Sequence, residues 1–472
     1  MMNNLLYFFV SLLFIATDVL SHQITFSVGE EYFITSELKS ICSGDLNGDN
    51  INDLVIASYA SYCVTVLINN GDGSFDLPVN YEAGGHVSDV IIVDVDGDGY
   101  SDLVATSWNM DWIAVYINKG DGTFYDADTY GVAPGPEALT TADFNNDGYS
   151  DIITVNSYLG NTFSTFINEG NGSFVNTFNF QLGSFPHSII TSDFNNDDFL
   201  DIATAADDSF YVFQNSTDTE FVHFQLSLSF SYSGYNSDLF SSDLDGDNNC
   251  DLFFTNYDSN QVVVLMNAGD GSFDTPLYYE VGERPLAISA DDFDMDGYND
   301  LAVLNEGSND ISILFNNGDG TLFLPLNILS CNYQLIFVCS DLDGDNDIDI
   351  AVCHTSNRVT ILLNDTYTDI NSDNELLEIP SAFQLNQNYP NPFNPTTTIS
   401  FNLPYRTYVK LTIYDILGRE INTLVHESKP AGSYNIKWNG FDYSGKNIAS
   451  GIYYYQIQTD EFKDTKSIIL IK

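Results

Sequence analysis

The sequence predicts an all-β protein: a seven-bladed β-propeller followed by a small C-terminal Ig-like β-sandwich. Three observations predict it. A ten-residue phrase recurs seven times, beginning at Asp45, Asp94, Asp143, Asp193, Asp243, Asp292 and Asp341, at intervals of 49, 49, 50, 50, 49 and 49 residues. A period of this size marks a propeller, a solenoid or an array. Each unit reads as four short strands, which suits the blade of a closed propeller, whereas a linear array needs capping repeats and neither end of the repeat region resembles one. Finally, the chain is rich in Phe and Tyr, with Gly and Asn clustered at regular intervals and no sustained 3.6-residue apolar period, which favours strands and turns over helices.

The phrase itself is clearest at Asp94 to Leu103: Asp-Val-Asp-Gly-Asp-Gly-Tyr-Ser-Asp-Leu. Positions 1, 5 and 9 are Asp in every copy, and position 3 is Asp or Asn. This alternation turns several hard oxygen donors toward one point, as Ca²⁺ requires. Position 6 is Gly99, Gly148 or Gly297, or else Asn50, Asn248, Asn346 or Asp198, types that tolerate the positive φ of a tight loop. Position 10 is always Leu or Ile, so a strand starts directly after the last carboxylate. Polar turns between strands would use the same residue types, but seven copies in one phase argue for a shared ligand. An EF-hand fits poorly, because it needs a bidentate Glu at position 12, where the first three copies have Ile56, Ala105 and Thr154.

Within the second unit the expected strands are Val87 to Val93, Asp102 to Thr106, Trp112 to Ile117 and Phe124 to Tyr130. Glycine-rich turns such as Gly71-Asp72-Gly73 and Gly120-Asp121-Gly122 mark hairpins. The fourth unit lacks these glycines over Gln214 to Glu220, which predicts an irregular turn. The seventh unit supplies only three strands, near Leu335 to Cys339, Asp349 to Cys353 and Val359 to Leu363. Its missing outer strand is expected from Ile24 to Phe33, pairing with Val359 to Leu363 and latching the ring.

The formal net charge is −54. Residues 1 to 370 hold only Lys39, Lys119, Arg284 and Arg358 against 57 acidic side chains, whereas the last 102 residues are nearly balanced. Such a field excludes nucleic acid and anionic membranes as partners, since phosphate binding needs cationic contacts. Residues 1–21 read as a secretory signal, with an apolar core from Leu5 to Ala16 and small residues before a cleavage after Ser21. No later run is long enough to span a bilayer, so no transmembrane segment is expected in the mature chain. The six cysteines show no metal-ligand spacing and no disulfide is assigned.

Beyond a polar linker at 366–380, the charge becomes balanced. The prolines of Asn388-Tyr389-Pro390-Asn391-Pro392-Phe393-Asn394-Pro395 rule out a central strand or helix. Alternation at Thr398 to Leu403, Val409 to Tyr414 and Tyr434 to Trp438, a turn at Asp442 to Gly445, then Ile452 to Ile457 and Ser467 to Ile471, describe a small antiparallel sandwich.

These repeats resemble the FG-GAP or VCBS family, the calcium-loop propeller repeats also seen in integrin alpha subunits, over a propeller domain spanning 22–365. The resemblance implies up to seven bound Ca²⁺, with the position 7 carbonyl as a further ligand. The implied side-chain ligands are Asp45, Asn47, Asp49 and Asp53; Asp94, Asp96, Asp98 and Asp102; Asp143, Asn145, Asp147 and Asp151; and Asp193, Asn195, Asp197 and Asp201. The remaining loops contribute Asp243, Asp245, Asp247 and Asp251; Asp292, Asp294, Asp296 and Asp300; and Asp341, Asp343, Asp345 and Asp349. Asp198 makes the fourth loop the least orthodox, and the weakest binding is expected there. Residues 381–472 resemble a type A sorting domain of the type IX secretion system. That resemblance rests on the Tyr-Pro-Asn-Pro-Phe-Asn-Pro opening, Leu411-Thr412-Ile413-Tyr414-Asp415 with Gly418, the Gly432 to Gly440 segment and Ser450-Gly451-Ile452-Tyr453. It implies type IX secretion machinery as a partner, and a secreted or outer-membrane cell-surface location.

No residue constellation argues catalysis. The six histidines lie in different units without zinc-protease spacing, and no Gly-x-Ser-x-Gly elbow occurs. Function is expected on the face opposite the acidic loops, where the other interstrand loops converge. Those loops carry Tyr59, Trp108, Trp112 and Arg284 as candidate ligand-binding residues, exposed aromatic faces being suited to sugar rings or protein partners. The reading is a calcium-binding adhesion module for an extracellular glycan or protein; the alternative is a polysaccharide-active lyase or hydrolase on the same scaffold.

Overall fold

The computed structural model describes residues 24–364 and 383–471, apart from 25, 35–36, 159–160, 183–184, 208, 217–221, 232–235, 330–333, 394–395, 404–406, 430–431, 442, 444–445, 447 and 460–461. The segments 1–21 and 366–380 and Cys331 lie outside the described residues. Among the described residues there is no helix, and the repeat region forms seven four-stranded antiparallel sheets laid out as propeller blades. In the second repeat the strands are Val87–Val93, Asp102–Ser107, Trp112–Tyr116 and Asp128–Gly131.

The first strands are Leu38–Gly44, Val87–Val93, Pro136–Ala142, Pro186–Ser192, Asn236–Ser242, Pro285–Asp291 and Gln334–Ser340. Each touches the next, and Gln334–Ser340 touches Leu38–Gly44, so the contacts run round a closed cycle. The second strands, Asp53–Ser58 and its counterparts, are buried along their whole length. That is why they read as continuous apolar runs rather than alternating ones. In four sheets the fourth strand has only four residues, largely exposed at Val79–Glu82 and Asp128–Gly131, whereas Phe26–Phe33, Phe174–Gln181 and Phe224–Ser231 run to eight.

The core consists of layers between neighbouring sheets. Val55 and Ala57 pack with Leu103 and Ala105, Val104 and Val115 with Ile152 and Phe166, and Ala302 and Ile311 with Ile350 and Val352. Between the last and first repeats, Leu54 and Ile56 pack with Ala351, Cys353 and Ile361. The N-terminal strand Phe26–Phe33 pairs antiparallel with Arg358–Asn364, from Phe26 opposite Asn364 to Phe33 opposite Arg358, and completes the seventh sheet.

Two expectations need correction here. The outer strand of the second repeat begins at Asp128, not Phe124. Phe124 instead makes a single bridge to Asn118 and is buried at the turn, so its side chain packs where a strand was expected. In the C-terminal module, the ten-residue strand Glu420–Lys429 has no counterpart in the expected set, and the last strand starts earlier, as Lys463–Leu470.

The C-terminal module packs Gln384–Leu385, Thr397–Leu403 and Gly432–Trp438 as one sheet. The other contains Glu420–Lys429, Thr407–Tyr414, Gly451–Gln458 and Lys463–Leu470. Ile399, Phe401, Leu411, Ile413, Trp438, Tyr455 and Ile468 fill the space between. The proline-rich opening is held by bridges from Tyr389 to Thr398 and from Phe393 to Leu470 rather than by a strand. Cys42, Cys250, Cys339 and Cys353 are free.

Candidate cation loops and an aromatic pocket

Each acidic loop is wound by its own carboxylates. In the first, Asp45 Oδ1 accepts the amides of Asn47 (3.2 Å), Gly48 (2.7 Å) and Asp49 (3.2 Å), and Oδ2 accepts that of Asn50 (2.8 Å). All seven position 6 residues have positive φ, from 64° at Asn50 to 93° at Gly297, and Asp198 follows at 68°. Position 4 also has positive φ throughout, including Met295 at 58°. The position 5 Asp turns one oxygen onto the position 7 amide, as Asp98 does to Tyr100 (2.9 Å) and Asp296 to Tyr298 (2.9 Å).

Position 9 opens the second strand and is almost fully buried. Asp53 Oδ2 accepts Leu46 N (2.9 Å) and Oδ1 accepts Asn69 N (2.8 Å), and the other six repeat this pair. Burial pushes these carboxyls up, to about 6 at Asp53, Asp102 and Asp251, about 7 at Asp151 and Asp201, and about 8 at Asp300 and Asp349. Backbone amides oppose the shift, but neighbouring loop carboxylates add to it.

In four loops, one carboxylate oxygen each from positions 1, 3 and 9 lies within 4.8 Å of the others: Asp94, Asp96 and Asp102; Asp243, Asp245 and Asp251; Asp292, Asp294 and Asp300; Asp341, Asp343 and Asp349. Like charges so close repel by a few kcal/mol per pair, roughly, in a surface dielectric. All-oxygen donors with uncompensated negative charge fit a hard metal ion, which these clusters could hold. The first, third and fourth loops have Asn47, Asn145 and Asn195 at position 3, an amide oxygen in place of a carboxylate. In the third, Asn145 Nδ2 donates to Asp147 Oδ2 (2.9 Å).

A residue missed by sequence reasoning joins the loops together. Asn118, buried at the end of a third strand, donates to Ser101 O (2.7 Å) in its own loop and Leu46 O (2.8 Å) in the previous one, while its Oδ1 accepts Gly120 N. Asn168, Asn215, Asn267, Asn316 and Asn364 each reach the preceding loop in the same way, and Asn69 reaches Leu342 O (3.0 Å), across the closure. The signal was visible as an Asn 22 to 25 residues after the first Asp of every acidic loop.

On the opposite side of the sheets, a pocket of about 290 Å³ is lined by Lys39, Tyr59, Ser88, Trp108, Glu137, Ser157, Tyr158 and Phe185. Lys39, Ser88 and Glu137 occupy the second position of three successive first strands, where the ladder shifts register in each sheet. Such bulges re-aim side chains. Tyr59, Trp108, Ser157 and Tyr158 follow the second strands of the same three repeats. Tyr59 stacks on His86 (4.2 Å, 14°) beneath the Lys39 ammonium (5.5 Å), and Trp108 leans on Tyr158 (5.5 Å). A Cβ on Gly135, whose φ is +72°, would lie 2.4 Å from the Tyr158 Cβ, so glycine lets these loops meet.

Glu137 Oε2 accepts Ser157 Oγ (3.1 Å). Burial raises its carboxyl above the ordinary range, against the pull of Ser157, Lys39 and Trp108. Neither Lys39 nor Glu137 belongs to a motif. Trp112 and Arg284 lie outside the pocket. The Trp112 indole donates to Ala83 O (3.2 Å), and the Arg284 guanidinium sits 5.8 Å from the Tyr257 ring, whose hydroxyl donates to Glu306 (2.7 Å).

The spans 45–105, 94–154, 143–204 and 243–303 match the model of the FG-GAP-like repeat, each beginning at position 1 of an acidic loop. The chain carries FG-GAP-like repeats. Residues 391–461 match the FlgD Ig-like domain, a stretch within the C-terminal two-sheet module that leaves out its first and last strands. No curated protein matches the chain. Among solved structures, BBS1N in complex with ARL6DN, soaked with mercury, aligns at a TM-score of 0.54 and 12% identity over 73% of this chain and 98% of that one. At that identity the likeness is one of fold. An Agrocybe aegerita lectin that recognises non-reducing terminal N-acetylglucosamine aligns at 0.47 and 17% identity, over 70% and 86%. PorZ, a surface component of the type IX secretion system of Porphyromonas gingivalis, aligns at 0.47 and 13%, over 92% and 59%.

Proposed function

We propose that this chain is an exported, calcium-binding, seven-bladed propeller that binds an extracellular glycan in the pocket of Tyr59, Trp108 and Tyr158. The pocket carries the reading. Three aromatic rings offer stacking faces, and Glu137, Lys39 and the serine hydroxyls offer hydrogen bonds that fix orientation. Its volume lies near the lower end for small-molecule sites. Calcium is the ion of choice for the loops because every side-chain donor is a hard oxygen and no imidazole or thiolate takes part. With residues 22–365 as the propeller, residues 1–21 serve as a secretory signal. Residues 381–472 serve as the sorting module for type IX secretion, removed or retained at the cell surface.

Glycoside hydrolysis by the common route uses a pair of carboxylates, and among the described residues Glu137 is the one carboxylate in the pocket lining. The reading is therefore of binding without turnover. Binding of the full chain to a glycan array in calcium, repeated with Trp108→Ala, tests it. A defined sugar bound by the wild type and weakened about tenfold or more in the variant supports it, on the scale of a buried Trp contact. Equal binding by both moves the site elsewhere, and release of shortened products from the array glycan restores the enzyme alternative.

A further inference from the structure

The pocket stands on three consecutive first strands, and a residue outside its lining joins them. In Leu38–Gly44 and Pro136–Ala142 the ladder skips one residue, at Lys39 and at Glu137. In Val87–Val93 it skips two, Ser88 and Asp89, and the freed Asp89 amide donates to Thr106 Oγ1 (2.8 Å). From this wider bulge both residues reach the next sheet. Ser88 Oγ donates to Pro136 O (2.7 Å) and Asp89 Oδ2 accepts Leu139 N (2.9 Å), so the two bonds bracket Glu137 and Ala138. Toward the preceding sheet, the Asp89 carboxylate has Ser40, the neighbour of Lys39, as a hydrogen-bonding partner. Three repeats on, the same device recurs. The ladder of Asn236–Ser242 skips Ser237 and Asp238, the Asp238 amide donates to Thr255 Oγ1 (3.1 Å), and its carboxylate accepts Ile288 N (3.1 Å) and Ser188 Oγ (3.1 Å). The residue there that corresponds to Glu137 is Leu286, which packs against the core between its sheets.

We propose that Asp89 is a positioning residue of the pocket, fixing through Leu139 N the bulge from which Glu137 meets a bound glycan. The inference rests on the reading of the pocket as a glycan site and adds to it a residue that touches no sugar. A binding group selects its ligand only when the backbone beneath it is held by supporting hydrogen bonds, and an unpaired bulge residue has no ladder to hold it. For Glu137 that support comes from the repeat before its own. Ser157 Oγ fixes the far end of the side chain (3.1 Å), and Asp89 fixes the strand at its base. The clamp around Asp238 makes the same bonds where no pocket residue depends on them, so the two aspartates share a structural task and differ in what they position.

Binding of the full chain to an array of neutral, amino and acidic oligosaccharides in CaCl₂, comparing wild type with Asp89→Ala and Asp238→Ala, tests the assignment. Thermal unfolding of each protein accompanies it. Both variants lose the same bond between sheets and should melt alike. Asp89→Ala should weaken the strongest array signal by about tenfold or more, the scale of a hydrogen bond to a charged group. Asp238→Ala should leave it within about twofold, as expected of a change remote from the site. Because Asp89 acts through Glu137, Asp89→Ala should weaken binding little further in a Glu137→Gln background. If the alanine variants do not fold, Asp89→Asn and Asp238→Asn, which turn an amide group toward one of two backbone N–H groups, take their place with the same expected order. Equal loss of binding in the two aspartate variants, an unchanged signal in the Asp89 variant, or losses that add fully to that of Glu137→Gln overturn the assignment. A wild type that binds no sugar on the array overturns the reading of the pocket, and this inference with it.

Discussion

Asp89 and Asp238 occupy the third position of first strands three repeats apart, and each ties its sheet to the next. Asp89 Oδ2 accepts Leu139 N (2.9 Å), and Asp238 Oδ2 accepts Ile288 N (3.1 Å) while its Oδ1 accepts Ser188 Oγ (3.1 Å). Burial pushes both carboxyls up to about 6, and the Asp89 charge adds to Asp238. A raised carboxyl favours the fold when protonated, so this contribution is complete below the unfolded pKa near 4 and is lost as pH rises through about 6. Wild-type stability should therefore gain about 1 kcal/mol per carboxylate between pH 7 and pH 5, relative to Asp89→Asn or Asp238→Asn. Urea unfolding at the two pH values reads the difference. Glu137 follows the same sign. Glu137→Gln should cost no stability at pH 7, lose ground to wild type as the solution is acidified, and still weaken glycan binding, which separates a ligand contact from a structural one.

The seven Asn ties make the element scale cooperative, since each sheet is stitched to the loop before it. Removing Asn69 leaves Leu342 O and Asn52 O without that donor and Gly71 N without its acceptor. Asn69→Ala should cost about 1–3 kcal/mol, the range for stranding buried polar groups. Hydrogen exchange should also accelerate in Phe26–Phe33, the strand at the closure. Loss of stability without faster exchange there would show that the tie serves its own repeat alone. At this scale much was legible in the sequence. The loop phase placed the starts of the first two strands of each repeat, and the missing outer strand of the seventh repeat pointed to Ile24 to Phe33. The four-residue fourth strands, such as Asp128–Gly131, were less legible because so few, mostly exposed residues carry almost no pattern. Glu420–Lys429 was illegible for another reason: its ladder with Thr407–Tyr414 shifts register twice, which breaks the two-residue alternation a strand is recognised by.

The whole molecule combines a −54 formal charge with seven loops of crowded carboxylates. Removing the cations should lower the melting temperature. Each independent site contributes RT ln(1 + [Ca]/Kd), about 2.7 kcal/mol at a hundredfold excess over Kd. Added NaCl should restore part of that loss in chelator, because screening weakens repulsion among exposed charges. The pocket was only half legible. Aromatic loops could be assigned to one face, but which of them meet depends on three consecutive bulges and on the ring curvature. Tyr59 and Trp108 therefore share a pocket with Glu137 and Lys39, while Trp112 and Arg284 face other neighbours. The loops differ in kind, because a ligand pattern local in sequence is also local in space.

The central claim is that these loops are cation sites on which the ring depends, and equilibrium dialysis of the full chain against CaCl₂ tests it most directly. The account predicts several calcium ions bound per chain, up to the seven loops, with resistance to thermal unfolding rising in step with occupancy. Less than one calcium per chain at millimolar free calcium, or a melting temperature indifferent to chelator, would contradict it.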